Sequence, residues 1–229
     1  MKTRFHFFGV LMIYCMSTSL QAQDVFRYYE NGKAGYKKST GEIVVPANYS
    51  AGSEMFGNYA IVVKGQKRGY INERGETIVP FIYDDASVFS DGLAHVMKDG
   101  KYGFINMKGE TIIAFDYQFA GDFRNGIVRV QKDGIWGFIN TSGKTVIPFI
   151  YKNAFDFTEG LAPVMTAQNL WGYIDANGKF VLQPKYGQAA CFENGEALVM
   201  SKDKFVYIKK NGKVIRELKN PEEEENRNR

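Results

Sequence analysis

The sequence predicts an all-β tandem array, on three observations: a fixed period, turn residues spaced to join short strands, and a composition rich in rings and glycine. Gly35, Gly69, Gly103, Gly137 and Gly172 are separated by 34, 34, 34 and 35 residues, with Val206 a further 34 on. Aromatic residues make up 15% of the 229 residues, including 14 Tyr and 18 Phe, alongside 24 Gly and only 6 Pro. That balance favours strands and tight turns over helices.

The columns divide each unit into three strands. The anchor glycine is followed by a ring: Tyr36, Tyr70, Phe104, Phe138, Tyr173 and Tyr207. In the third copy the first strand runs through Tyr102–Asn106, and Asn106-Met107-Lys108-Gly109 forms a hairpin loop with glycine at its left-handed position. A second strand passes through Thr111, Ile112 and Ile113, then a longer connection pinned by Phe123 leads to a third strand carrying Ile127, Val128 and Val130. Lys98-Asp99-Gly100-Lys101 and Lys132-Asp133-Gly134 return the chain to the next copy through type I′ turns. Each unit of about 34 residues is thus read as a three-stranded antiparallel meander. One unit cannot bury its own rings, so about six copies stack, their terminal members degenerate. An open, solenoid-like stack is expected rather than the alternative, a closed propeller-like ring, whose four-stranded blades take roughly 40 to 45 residues.

Glycine weakens a strand, so its place before each ring needs a cause. The missing side chain leaves a gap that a neighbouring ring fills, making the aromatic-glycine pair a packing device.

Three regions follow. Residues 1–22 have the layout of a secretory signal, with Lys2 and Arg4, an apolar run from Phe7 to Met16, and small or polar residues to Ala22. Residues 23–216 form the repeat domain and residues 217–229 a charged, disordered tail. The expected location is therefore outside the cytoplasm: periplasm, cell surface or medium. No segment reaches the roughly 20 apolar residues of a membrane-spanning helix. Removing the signal lowers the net charge from +4 to 4 − 2 = +2, and the basic residues are dispersed rather than gathered in the stripe that nucleic acid requires.

The residues available for chemistry are few. His95 and Cys191 are the only histidine and cysteine after the signal, which leaves no disulfide, no set of zinc ligands and no support for a Ser-His-Asp or Cys-His triad. His95 sits in a variable column, read as an outward face. The acidic residues, among them Asp84, Asp91, Asp99, Asp133 and Glu159, stand mostly beside turn glycines, where Asp serves local hydrogen bonds. No phosphate-binding glycine motif is present. No catalytic residue, metal or cofactor is assigned. Arg68, Tyr102, Trp136, Trp171 and Phe205 form the column that precedes the anchor position, and it varies in character. The first four are the candidate ligand-binding residues, the other reading of the column being a core that tapers toward its ends.

Lys101-Tyr102-Gly103-Phe104-Ile105-Asn106, Ile135-Trp136-Gly137-Phe138-Ile139-Asn140 and Leu170-Trp171-Gly172-Tyr173-Ile174-Asp175, each followed by a glycine and an aliphatic pair, resemble the bacterial WG-repeat family over roughly residues 30–216. Ala34, Arg68 and Phe205-Val206 depart from the pattern. The resemblance implies an exported or envelope-associated β-repeat protein and carries no family-wide catalytic residues. The expected function is a non-catalytic scaffold that binds a protein or glycan partner. A carbohydrate-active enzyme and a purely structural spacer are the alternatives.

Overall fold

A computed structural model describes residues 24–218; the expected signal segment and residues 219–229 lie outside them. The described chain holds strands and no helix, arranged as six antiparallel sheets in tandem. The first sheet has three strands, Val25–Glu30, Lys33–Lys38 and Ile43–Tyr49. Every later sheet has four, as in the fourth: Phe119–Ala120, Ile127–Lys132, Ile135–Asn140 and Thr145–Tyr151. The last strand, Val214–Glu217, runs one residue past the expected end of the repeat domain, onto the first residue of the expected tail.

The sheets are offset from the sequence units. The third strand of each copy pairs with the first strand of the next, Val130 opposite Gly137 and Val96 opposite Gly103, so a unit boundary falls inside a sheet. The turns dictate this offset. Asp99-Gly100 and Asp133-Gly134 have φ of 52°, 75°, 52° and 76°, the doubly left-handed geometry of a type I′ turn, which makes its flanking strands hairpin partners. The expected loop at Gly109 also forms, with φ 77° and the Asn106 carboxamide accepting the amides of Lys108 and Glu110 at 2.9 and 3.0 Å. The strand beyond the expected three, Phe119–Ala120 in the fourth sheet, is a two-residue piece of the longer connection that bonds to the edge next to it, Ala120 opposite Val130.

Each anchor glycine faces a bulge. Trp136 lies opposite Tyr151 and Phe138 opposite Ile147, so Pro148, Phe149 and Ile150 together oppose Gly137. A Cβ at Gly137 would sit 2.9 Å from the Phe149 ring and 3.0 Å from the Ile147 carbonyl oxygen; at Gly103 it would meet the Ile113 oxygen at 2.8 Å and Phe115 at 3.0 Å. The covering ring belongs to the same sheet, and it also reaches back: Phe149 stacks on Tyr117 of the preceding sheet at 6.4 Å, as Phe115 does on Tyr83 at 6.3 Å.

Consecutive sheets bury a joint between them. In the third joint Leu93, Phe104, Ile113 and Tyr117 meet Ala120, Phe123, Val128, Val130 and Ile139. Burying a ring such as Phe123 stabilises by roughly 1.5–3 kcal/mol. Among the described residues no core cluster joins the first sheet to the sixth.

Candidate ligand-binding rim

The varied column lies along the margin of the joints, at the end of each sheet marked by the turns around Gly100 and Gly134. Arg68, Tyr102 and Trp136 are half-buried, Trp171 is buried and Phe205 is exposed. The structure brings the candidates into one row through Asp85 and Phe119 of the two-residue strands, together with Arg129 and Phe155. Arg68 pairs with Asp85, whose other carboxylate oxygen accepts the Tyr102 hydroxyl at 3.0 Å. The Tyr102 ring is 6.4 Å from Phe119, and Phe119 is 5.1 Å from Trp136. Arg129 lies over Phe119, Trp136 and Phe155 at 4.9, 5.1 and 5.9 Å, and Phe155 stacks on Trp171 at 5.2 Å and 15°. Phe119 and Phe155, 36% and 37% exposed, are the most open rings of the row; sequence reading missed both, since neither falls in an aromatic column. The column is neither wholly outward nor a core that tapers evenly toward its ends.

Behind the row, each joint is closed by a tyrosine hydroxyl, by a basic side chain from across the strand pair or, in the first joint, by both, since Arg27 opposite Tyr36 also donates to the Gly52 oxygen. Where the central ring is tyrosine, its hydroxyl donates to a backbone carbonyl of the next sheet: Tyr36 to Ser53 at 2.8 Å, Tyr70 to Ser87 at 2.6 Å and Tyr173 to Ala190 at 2.7 Å. Burial raises these three hydroxyls well above the usual tyrosine range. Where the ring is Phe104 or Phe138, the residue across the strand pair reaches over instead. His95, opposite Phe104, places Nδ1 3.1 Å from the Gly121 oxygen and 3.2 Å from Asp122. Both neighbours only accept, so Nδ1 carries the proton. Arg129, opposite Phe138, donates to the Ala154 oxygen at 2.7 Å and to Asp156 at 2.6 Å.

His95 therefore does not sit on an outward face. Its side chain is 16% exposed inside a joint, and contact with it holds the Asp122 carboxyl below the usual range. The acid follows the basic side chain along the chain: Arg27, His95 and Arg129 meet Glu54, Asp122 and Asp156, whereas Ile61 and Pro163 stand where the next sheet offers Val88 and Cys191. This pairing was present in the sequence as a spacing but spans two copies, so columns taken singly conceal it. Cys191 is half-buried there, its thiol pushed up by burial, with Sγ 3.8 Å from the Asp156 oxygen.

Of the carboxylates expected to make local hydrogen bonds, Asp84, Asp91, Asp116 and Glu159 instead engage partners distant in sequence, and Asp175 binds within its own loop. Asp84 pairs with Lys67, Asp116 with Lys132 and Glu159 with Lys210, while Asp91 accepts the Gly126 amide at 2.7 Å and Asp175 accepts the amides of Asn177 and Lys179. Among the described residues no group of three or more His, Cys, Asp or Glu is placed to hold a metal ion, and no helix is long and apolar enough to cross a membrane.

The family model described as "WG containing repeat" matches residues 35–67, 69–102, 102–134, 136–167 and 171–205. The chain belongs to the WG-containing repeat family. The matched WG copies begin at or beside the anchor glycine, so each straddles two sheets. No curated protein matches the chain. Among solved structures, the computationally designed Ika8 protein superposes with TM-score 0.51 at 14% identity, covering 82% of this chain and 68% of that one. Hsv2 of Kluyveromyces lactis gives 0.48 at 10% identity, covering 82% and 71%, and BamB from Moraxella catarrhalis gives 0.46 at 12%, covering 85% and 69%. At such identities the likeness to Ika8 is one of fold alone, and it agrees with a tandem all-β array of WG units.

Proposed function

We propose that this WG-repeat chain is a non-catalytic scaffold that works outside the cytoplasm and binds a glycan or protein partner along its rim. One observation carries the reading: a continuous row from Arg68 to Trp171, crossing the joints between four sheets, in which rings alternate with paired charges and two Phe rings stand open. Ring faces held by a rigid sheet supply contact area at small entropic cost, which suits stacking on sugars or side chains. The carboxylates that a glycosidase would use in pairs are instead engaged singly, by cations and backbone amides. The layout of residues 1–22 supports export.

The test is binding to glycan arrays and to immobilised polysaccharides, with turnover assays on the same polymers. Phe119→Ala/Phe155→Ala is expected to weaken retention by about tenfold or more. Turnover abolished by a single carboxylate substitution would remove the scaffold reading.

A further inference from the structure

Five joints are filled in the same way. The rings of Tyr70, Phe104, Phe138 and Tyr173 are covered by Phe89, Phe123, Phe157 and Phe192 of the next sheet, with centroids 5.0, 4.9, 5.1 and 4.9 Å apart, and Tyr36 packs in one cluster with Met55. Where the ring carries a hydroxyl, the accepting carbonyl lies two residues before the covering side chain, as with Ser87 and Phe89. The surroundings are aliphatic: Leu93 and Ile113 around Phe104, Leu161 and Leu182 around Tyr173.

The sixth sheet repeats this socket at the end of the array. Tyr207 stands in the place of Phe104, beside an open cavity of about 360 Å³ whose lining includes Cys191, Asn194, Glu196, Leu198, Tyr207 and Arg216. Two positions break the pattern. Glu196 replaces the aliphatics Leu93, Ile127 and Leu161, and Arg216 replaces Ile113, Ile147 and Leu182. The two bond to each other at 2.6 Å, and the Arg216 guanidinium lies 3.8 Å from the Tyr207 ring centroid, on the ring whose counterparts take a Phe or Met. Displacing that pair by an apolar side chain costs its hydration or its partner.

The opposite end is closed differently. On the first sheet Phe26, Tyr28 and Lys37 stand where the fifth presents Ala162, Val164 and Ile174, and Lys37 lies 5.6 Å from the Tyr28 ring. Bulk and charge on that face leave no seat for another sheet.

We propose that the last sheet holds a latent docking socket for an extended loop presenting Phe or Met, of the kind that joins the interior sheets. Arg216 with Glu196 is the lid that keeps it shut, and with the closed face of the first sheet it leaves neither end of the array open to a second copy of the chain. The probe is a fluorescein-labelled synthetic peptide of residues 119–130, whose Phe123 fills the third sheet's socket. Fluorescence anisotropy should show it binding Glu196→Leu/Arg216→Ile about tenfold or more tightly than the wild-type chain, an effect lost with the peptide's Phe123→Ala form. Equal affinity for both proteins would remove the lid. Absence of binding to a double variant with unchanged circular dichroism and unfolding would remove the socket. Sedimentation should find the wild-type chain monomeric at all concentrations, and end-to-end growth would overturn the proposal.

Discussion

At Gly137 the backbone of one strand and the side chain of another claim the same space. The bulge at Pro148–Ile150 brings the Ile147 oxygen and the Phe149 ring within 3.0 Å of where a Cβ would sit. Position 206 supplies the comparison: it holds Val206, and its partner strand pairs Val206 with Glu217 and Tyr207 with Arg216 without a bulge between them. A side chain is tolerated where the bulge is absent. Gly137→Val should therefore lower the unfolding free energy by about 3 kcal/mol, near the top of the overpacking range, as measured by urea titration. A loss below about 0.5 kcal/mol would refute this account of the glycine. The glycine column was legible in the sequence because it repeats; its cause was not, because a bulge is a relation between two strands that one strand's pattern does not carry. The same limit hid His95 and Arg129, whose meaning depends on the ring opposite and on an acid in the next sheet.

Among the elements, the strand that follows each hairpin loop forms an exposed sheet edge, and exposed edges invite pairing with other chains. Four of these strands carry Pro46, Pro80, Pro148 and Pro184 at the bulge, which removes an amide from the edge. The third sheet has Ala114 there, exposed and opposite Gly103, within the same register shifts. Ala114→Pro should thus be accepted, stabilising by about 0.4–1 kcal/mol through the unfolded chain and raising Tm by roughly 1–4 °C. A fall in Tm would mean that the Ala114 amide is hydrogen-bonded and that this bulge differs from the other four. Strand positions and turns were readable element by element, since alternation and Asp-Gly or Asn-x-x-Gly spacing are local. The grouping of strands into sheets was harder, although the type I′ turn already fixed which two strands make a hairpin, and it sets the boundary of a sheet inside a repeat.

For the whole molecule, stability is a sum over sheets and the joints between them, so removing one period should shorten the array without unfolding it. Two excisions of 34 residues distinguish a sum of identical joints from one with specific closures. Deleting 103–136 joins Tyr102 to Gly137, setting His95 opposite Phe138 and facing the Phe155 oxygen and Asp156, the counterparts of Gly121 and Asp122; a ring N–H, a carbonyl and a carboxylate still meet, as in the joint that His95 closes. Deleting 69–102 joins Arg68 to Gly103 and sets Ile61 opposite Phe104, which leaves the Gly121 oxygen without its donor and Asp122 without the imidazole beside it. Both shortened chains lose one sheet and should show m-values lower by about one sixth, because m follows the area exposed on unfolding. The second should be less stable than the first by about 1–3 kcal/mol, the cost of stranding a buried acceptor and a carboxylate. Equal stabilities would mean that the apolar contacts alone close the joints and that the polar closures made by the tyrosine hydroxyls, His95 and Arg129 are incidental.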